Sequence, residues 1–301
     1  MRSAVGLVRA HNEDAAHIDS GYRFFVVADG MGGENAGEIA SSLAVDAVRA
    51  SLEPAGDILR RIEDSDDPVD HLVIRMLLER AMRAANGAVV EHSRRDPDTH
   101  GMGTTLDVVL ILGDEAFVAH VGDSRTYLVR DGAATLQTRD HTVAQVMQRA
   151  GTLSPEEAEV SPLRSVLSNA IGCAAELAID HIYLRLRPGD RLLVCTDGLY
   201  DYFDGDELAR WLTCTSGDAA LAGLIEQACA RGGRDNLTGI VVEVGDIAAA
   251  PDDDLDDVIT TPVAVPDPPG HRGPLAGVAD RTVSAFVDEE LREESQPYPA
   301  P

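Results

Sequence analysis

The chain has 301 residues and a formal net charge of -27 at pH 7, from 52 acidic and 25 basic side chains. This charge disfavours binding to nucleic acid and to anionic membrane surfaces, and it favours cations or basic partners. No run approaches the roughly 18 apolar residues that a membrane helix needs, and the N-terminus lacks a basic segment leading into an apolar one. We therefore expect a folded cytoplasmic protein without a membrane anchor.

The composition changes near residue 245. Residues 1–245 alternate between apolar-periodic segments and short turns, and a hydrophobic fraction of 44% is enough for a sizeable core. Residues 246–301 are rich in Pro and Asp, and their apolar content is too low to offset the entropy of ordering them. The sequence predicts one folded domain over 1–245 and a mostly disordered acidic tail over 246–301.

Strands and helices alternate along the predicted domain. In chain order we predict a strand over 22–28, helices over 35–52 and 69–91, an antiparallel meander over 103–136, a helix after 142, an irregular excursion over 151–165, strands over 177–186 and 191–196, helices over 207–212 and 219–231, and a strand over 237–244. Meandering strands with paired long helices indicate an α+β fold. The expected architecture is a four-layer α-β-β-α sandwich, with two antiparallel sheets face to face and helices outside.

Four segments place an acidic residue beside glycine or asparagine, near the predicted strand ends. They are Asn12-Glu13-Asp14, Asp29-Gly30, Thr196-Asp197-Gly198 and Arg234-Asp235-Asn236, and Gly122-Asp123-Ser124 is a candidate fifth. Each of them alone is typical of a turn. Two, however, end near-identical apolar runs, FFVVADG and LLVCTDG. Buried carboxylates at such strand ends repel each other unless cations lie between them.

The residue types also favour a particular metal and reaction. Oxygen ligands without histidine or thiolate favour Mg²⁺ or Mn²⁺ over Zn²⁺, and Gly30 would let its carbonyl approach such an ion. Two such ions about 3.5 to 4 Å apart lower the pKa of a water bound between them. They also stabilise the attacking and leaving oxygens when that water displaces a group from phosphorus in line. Arg9 is a candidate for the phosphate oxygens because a guanidinium binds two at once. An ordinary surface arginine fits the sequence equally well.

Eight segments together carry a resemblance to a known family. They are VRAHNEDA (8–15), VVADGMGGENAGEIAS (26–41), GMGTTL (101–106), AHVGDSRTYLVRDG (119–132), TRDHT (138–142), LSNAIG (167–172), PGDRLLVCTDGLYD (188–201) and GGRDNLTGIVVEV (232–244). In this order the chain resembles a bacterial metal-dependent protein phosphatase of the protein phosphatase 2C type. The resemblance covers residues 1–245 and leaves out the tail.

The resemblance implies two Mn²⁺ or Mg²⁺ ions and a set of ligands. It implies that Asp29 bridges both ions and that the Gly30 carbonyl ligates one of them. Asp197 and Asp235 would complete the other ion. Asp123 would join Asp197 in holding a weaker third ion.

Other residues are assigned to the reaction by the same resemblance. Arg9 matches the arginine that binds the substrate phosphate, and Glu13 and Asp14 match carboxylates that position metal-bound water. The chain departs from the family pattern at Met31, where many eukaryotic relatives carry a histidine proposed as general acid. It departs again at Ser161-Pro162, where many bacterial relatives carry His-Pro.

The hypothesis is a protein serine/threonine phosphatase that hydrolyses phosphoserine and phosphothreonine through a metal-activated water, without a phosphoenzyme. Its partners would be phosphorylated proteins such as serine/threonine kinases and their substrates, and it would act as a monomer. The alternative is a catalytically silent phosphoprotein-binding or regulatory module with the same fold. Such a module would be expected to lack a metal carboxylate, whereas Asp29, Asp197 and Asp235 are all present.

Overall fold

Two antiparallel sheets form the centre of the fold, in a computed structural model that describes residues 1–21, 23–33, 36–63, 69–173 and 177–245. The described strands are β1 (Arg2–Ala4), β2 (Asp14–Ile18), β3 (Phe24–Met31), β4 (Gly103–Thr104), β5 (Leu106–Leu112), β6 (Glu115–Val121), β7 (Arg125–Arg130), β8 (Ala133–Leu136), β9 (Asp180–Arg185), β10 (Arg191–Cys195) and β11 (Leu237–Glu243). The described α-helices are α1 (Ala36–Leu52), α2 (Gly56–Glu63), α3 (His71–Arg95), α4 (Val143–Arg149), α5 (Pro155–Glu159), α6 (Asp197–Tyr200), α7 (Gly205–Cys214) and α8 (Gly217–Ala230). The predicted tail, 246–301, lies outside the described residues.

The strand order confirms the predicted pair of antiparallel sheets. One sheet has the order β1-β11-β10-β7-β8, and the other has the order β2-β3-β5-β6-β9 with β4 paired to β3. Three apolar layers hold these elements together. The first joins α1 and α3 to the outer face of the β3 sheet, the second fills the space between the sheets, and the third joins α7 and α8 to the β10 sheet. The four-layer α-β-β-α sandwich is therefore confirmed.

The side chains of β3 alternate between two of these layers. Phe24, Val26 and Ala28 pack against the helices, whereas Phe25 and Val27 pack between the sheets. Alternation places the next odd position, Asp29, on the inter-sheet face. The prediction that the strand ends at Ala28 is wrong, because β3 continues through Asp29 and Gly30 to Met31. Pairing with β4 provides the hydrogen-bonding partner for this extension.

The predicted meander is present but divides between the sheets. β5 and β6 pair in one sheet, and β7 and β8 pair in the other. The chain crosses between them at Gly122, Asp123 and Ser124. Gly122 has φ 113°, and a Cβ there would lie 2.6 Å from the Thr105 side chain, so this crossing requires glycine. The crossing places Asp123 between the ends of both sheets.

One predicted helix boundary and one predicted irregular segment differ from the structure. The helix predicted over 69–91 begins at His71, because Asp70 caps it by accepting hydrogen bonds from the N–H groups of Leu72 and Val73, and it continues to Arg95. The excursion over 151–165 contains the short helix α5, which begins with a capping box between Ser154 and Glu157. No helix in the described ranges is long and apolar enough to cross a membrane.

Candidate metal centre

The candidate site begins with two aspartates on adjacent strands. Asp14 opens β2 and lies directly opposite Asp29 of β3. Directly opposite residues of an antiparallel pair share one face of the sheet, with Cβ atoms about 4.5 to 5.5 Å apart. Thr196, at the end of β10 in the other sheet, donates from its hydroxyl to Asp14 Oδ2 at 3.0 Å. The two carboxylates therefore lie where the ends of both sheets meet.

Asp197 and Asp123 approach the same place from the β10 sheet and from the crossing loop. Asp197 follows Thr196 directly and is the first residue of α6. Asp123 is buried, and its backbone carbonyl accepts a hydrogen bond from the Tyr200 hydroxyl at 2.9 Å. The two Asp-Gly motifs predicted to be near copies thus differ locally: Asp29 lies within a strand, and Asp197 begins a helical turn.

Asp235 and Arg9 form one rim of the site. Arg9 Nη2 lies 2.7 Å from Asp235 Oδ2, and Arg9 Nη1 lies 3.8 Å from Glu13 Oε2. About half of the Arg9 side chain is exposed, so the guanidinium remains accessible to a ligand. The predicted phosphate-binding arginine is therefore adjacent to a predicted metal ligand and a predicted water-positioning carboxylate.

Gly30 is close to Glu13 and to the start of α1. The Gly30 N–H donates to the Glu13 carbonyl at 3.1 Å. A Cβ on Gly30 would lie 2.0 Å from the Gly37 carbonyl oxygen. A Cβ on Gly37 would in turn lie 2.7 Å from Glu13 Oε1 and 2.8 Å from the Gly30 carbonyl oxygen. Both glycines are required by close backbone approach, and Gly37 is a site residue that the sequence analysis missed.

The pKa values of the clustered carboxyl groups are raised. Removal from water is the largest cause in each case, and repulsion from neighbouring carboxylates adds to it. The pKa of Asp14 is raised to about 7, that of Asp123 to about 8, and that of Asp197 to about 6. The pKa of Asp29 is raised well above its usual range. Deprotonated together, these groups would hold a concentrated negative charge that a cation can neutralise.

Two carboxylate oxygens in this cluster lack a hydrogen-bond partner. They are Asp14 Oδ1 and Asp197 Oδ1, both buried and without a partner among the described residues. Buried polar atoms without a partner are rare and require an explanation. An all-oxygen set of this kind matches the ligand preference of Mg²⁺ and Mn²⁺. The donor set therefore fits such a metal.

The carboxylates do not converge on a single point. Within the described ranges, no group of three or more His, Cys, Asp or Glu side chains is arranged to hold a metal ion. Asp235 is engaged by Arg9, whose Nη2 lies 2.7 Å from Asp235 Oδ2. The cluster supplies oxygen ligands of the kind that Mg²⁺ and Mn²⁺ prefer.

Three polar residues to which the sequence analysis gave no role, Thr105, Thr196 and Asn236, support the site. The Thr105 hydroxyl accepts from the Asp29 N–H at 2.8 Å and contacts the Ser124 hydroxyl at 2.7 Å. Thr196 binds Asp14, as described above. Asn236 accepts from the Glu13 N–H at 2.8 Å and donates to the carbonyls of Val5 and His11, each at 2.9 Å.

The excursion containing Ser161-Pro162 is attached near the site. Arg164 forms a two-point ion pair with Asp201, with distances of 3.1 and 2.8 Å. The Asp201 N–H donates to the Asp197 carbonyl at 2.9 Å, directly after α6. The Ser161 hydroxyl accepts from the Leu163 N–H at 3.2 Å and so begins a helical turn over Pro162–Ser165. Met31, the last residue of β3, packs with its methyl group near Gly103.

Comparisons with known proteins give one consistent family. A family model for protein phosphatase 2C matches residues 8–226. The serine/threonine protein phosphatase PstP of Mycobacterium tuberculosis is 39% identical over 248 residues, covering 81% of this chain and 44% of that protein. The serine/threonine phosphatase stp of Listeria monocytogenes is 30% identical over 247 residues, covering 81% of this chain and 94% of that protein.

A solved structure adds a likeness in three dimensions. The catalytic domain of PstP in complex with two manganese ions matches with a TM-score of 0.67 and 37% identity, covering 81% of this chain and 96% of that chain. This chain thus spans nearly all of that catalytic domain, but less than half of the full-length M. tuberculosis relative.

Proposed function

The chain belongs to the protein phosphatase 2C family, and on that premise we propose that it is a metal-dependent protein serine/threonine phosphatase. The observation that carries the proposal is the carboxylate cluster of Asp14, Asp29, Asp123 and Asp197, which contains two buried oxygens without a partner among the described residues. Arg9 stands at the rim of this cluster. An anionic cluster beside an accessible guanidinium suits a site that takes cations and a phosphate.

We assign the metal ligands as follows. Asp29, the Gly30 carbonyl, Asp197 and Asp235 would hold two Mn²⁺ or Mg²⁺ ions, and Asp123 with Asp197 would hold a weaker third. The oxygen-only chemistry of these groups supports the assignment, as do the two manganese ions of the PstP catalytic domain. When bound, such ions would lower the pKa of water and neutralise phosphate oxygens.

The chain's own side chains perform the remaining tasks. Arg9 binds two non-bridging phosphate oxygens, which requires its guanidinium to turn from Asp235 toward the substrate. Glu13 and Asp14 accept hydrogen bonds from water and orient it, and Asn236 fixes the backbone of Glu13. Met31 has no transferable proton, so another group must protonate the leaving alkoxide, and we propose water for this role. The attack on phosphorus is in line, and no phosphoenzyme forms.

The substrates are phosphorylated proteins, including serine/threonine kinases and the proteins that they modify. We further propose that residues 1–245 are the catalytic domain, that 246–301 form an appended tail, and that the domain acts as a monomer in the cytoplasm. All four cysteines are free thiols, which supports a reducing compartment.

The test is phosphate release from matched phosphothreonyl, phosphoseryl and phosphotyrosyl peptides, with Mn²⁺, Mg²⁺ or EDTA. We expect turnover of the first two with metal, and none in EDTA. Asp197→Asn should abolish turnover, whereas Asp206→Asn, an exposed acid in the first turn of α7, should not. Metal binding without turnover would contradict the proposal and support the catalytically silent module, which no observation on the described residues favours.

A further inference from the structure

Tyr200 links two of the assigned metal ligands. It is the last residue of α6, whose first residue is Asp197. Its hydroxyl donates to the Asp123 backbone carbonyl at 2.9 Å, and the side chain is buried. A phenol is protonated at neutral pH and can serve as this donor. One helical turn thus carries one carboxylate and fixes the backbone of the other.

The ring of Tyr200 is itself held in place by a cation. Arg125 Cζ lies 3.9 Å from the ring centroid, a geometry that attracts a guanidinium to an aromatic face. Arg125 is fixed by a two-point ion pair with Asp140, at 3.0 and 2.8 Å. It also donates to the Tyr127 hydroxyl at 3.1 Å. The Tyr200 ring therefore packs against Arg125, a guanidinium that Asp140 and Tyr127 hold in place.

Asp123 lies on a loop whose backbone has special constraints. It follows Gly122, which has φ 113°, and precedes Ser124, which contacts Thr105. The loop joins strands of different sheets, so no ladder of strand hydrogen bonds passes through Asp123. The loop is anchored before Asp123, where the Gly122 carbonyl accepts from the His141 N–H at 2.7 Å, and after it, where the Ser124 hydroxyl contacts Thr105. Between these anchors the Tyr200 hydroxyl holds the carbonyl of Asp123 itself, and so contributes to where its carboxylate stands relative to Asp197.

We propose that Tyr200 is a positioning residue that fixes Asp123 relative to Asp197 and so sets the affinity for a cation held between these two carboxylates. The inference rests on the ligand assignment made under the proposed function. It assigns no chemical step to the Tyr200 hydroxyl, which acts through the Asp123 backbone. A change confined to that hydroxyl should alter the weakest metal affinity and leave the tighter ones unchanged.

The variant that tests the inference is Tyr200→Phe, which removes the hydroxyl and keeps the ring beneath Arg125. Tyr127→Phe is the matched control, because it removes a hydroxyl from the same Arg125 cluster at a residue that is also buried. Mn²⁺ binding is measured from the electron paramagnetic resonance signal of free Mn²⁺, without substrate. We expect Tyr200→Phe to weaken the weakest class of Mn²⁺ site roughly three- to tenfold, the effect of losing about one hydrogen bond. Tyr127→Phe should not.

A combination of variants locates the effect. Asp123→Asn should weaken the same class of site, and adding Tyr200→Phe should weaken it no further, since both changes act on one ligand. The inference is overturned if the wild-type protein binds no Mn²⁺ beyond two ions. It is also overturned if Tyr200→Phe matches Tyr127→Phe or weakens all classes equally. Because the readout is metal binding, a protein without phosphatase activity would refute the proposed function and leave this test intact.

Discussion

Asp14 and Asp29 lie directly opposite each other on neighbouring strands, with their side chains on the face between the two sheets. Like charges in this arrangement destabilise a sheet. The pairing nevertheless lies at the end of an otherwise apolar layer, where removal from water raises the pKa of both carboxyl groups. The fold therefore holds these two groups at a cost to its own stability, as expected of a functional site.

Asp14→Asn should stabilise the protein in EDTA. The pKa of Asp14 is raised to about 7, so the folded state binds more protons than the unfolded state between about pH 4 and pH 7. This group's contribution to the free energy of unfolding therefore falls as pH rises through that range. In urea unfolding at pH 8, the free energy of unfolding of Asp14→Asn should exceed that of the wild type by roughly 1 to 4 kcal/mol. This difference should shrink toward pH 4. A stability difference between Asp14→Asn and the wild type that does not change with pH would contradict this prediction.

Arg9→Ala should separate phosphate binding from metal binding. The guanidinium would bind the phosphate, so we expect kcat/KM for a phosphothreonyl peptide to fall about 100-fold, as for loss of a charge-assisted contact in the transition state. Mn²⁺ affinity should stay the same or rise, because Arg9 competes with the cation for Asp235. Arg83→Ala, which breaks the remote pair with Glu79, is the control. Weaker Mn²⁺ binding in Arg9→Ala would contradict the competition.

His120 is the centre of a buried polar cluster beneath the crossing loop. Its Nδ1 lies 2.6 Å from Asp107 Oδ1, and its Nε2 lies 2.9 Å from the Arg139 carbonyl. The His141 ring packs against it, and Asp180 is its partner on β9. Burial lowers the pKa of His120, but Asp107 and the carbonyl overcome this and raise it to about 9.

The stabilisation from protonated His120 should be lost in alkali. Because the folded-state pKa exceeds the unfolded value of about 6.5, this contribution is fully present below that pH and disappears as pH rises through about 9. His120→Gln should reduce the free energy of unfolding by about 3 kcal/mol at pH 6. The difference between the variant and the wild type should be smaller at pH 9.5. Guanidinium unfolding at both pH values checks this, with exposed His100→Gln as control. A stability difference between His120→Gln and the wild type that grows as pH rises would refute the prediction.

Gly37→Ala should damage the site without unfolding the chain. The added methyl group would displace the Glu13 carboxylate and the Gly30 carbonyl, which lie 2.7 and 2.8 Å from it. A misplacement of about 1 Å can cost roughly 100-fold in rate. Gly87→Ala in α3 is the matched control, because among the described residues its added Cβ would meet no atom within 4 Å. This variant should raise the free energy of unfolding by about 0.5 to 1 kcal/mol. Equal activity of the two variants would show that Gly37 does not position the site residues.

Sequence periodicity was sufficient for the layers of this fold but not for the register of its strands. The apolar run before Asp29 and the paired long helices predict sheets covered by helices. The end of β3 was misplaced because its last residues pair with β4, a two-residue strand beyond the reach of a periodicity argument. The register that sets Asp14 opposite Asp29 depends on chain pairing that neither motif specifies alone.

The carboxylates and Arg9 were singled out because their chemistry is visible in their own motifs, and the structure gathers them at one end of the sandwich. Their roles as metal ligands and phosphate-binding group stay predictions. Asn236 and Thr196 were missed because their partners are distant in sequence: Asn236 reaches Val5, and Thr196 reaches Asp14. An unused signal was the even-odd alternation of β3, which already places Asp29 on the inter-sheet face.

The central claim is that the carboxylate cluster holds the metal ions on which phosphate release depends. The most direct measurement titrates Mn²⁺ into one metal-free sample while recording both bound Mn²⁺ and the rate of phosphate release from a phosphothreonyl peptide. We predict that the rate rises as the second ion binds, and that Asp197→Asn binds fewer Mn²⁺ ions and releases no phosphate while remaining folded. Full phosphate release before any Mn²⁺ is bound, or an unchanged rate in Asp197→Asn, would contradict the account.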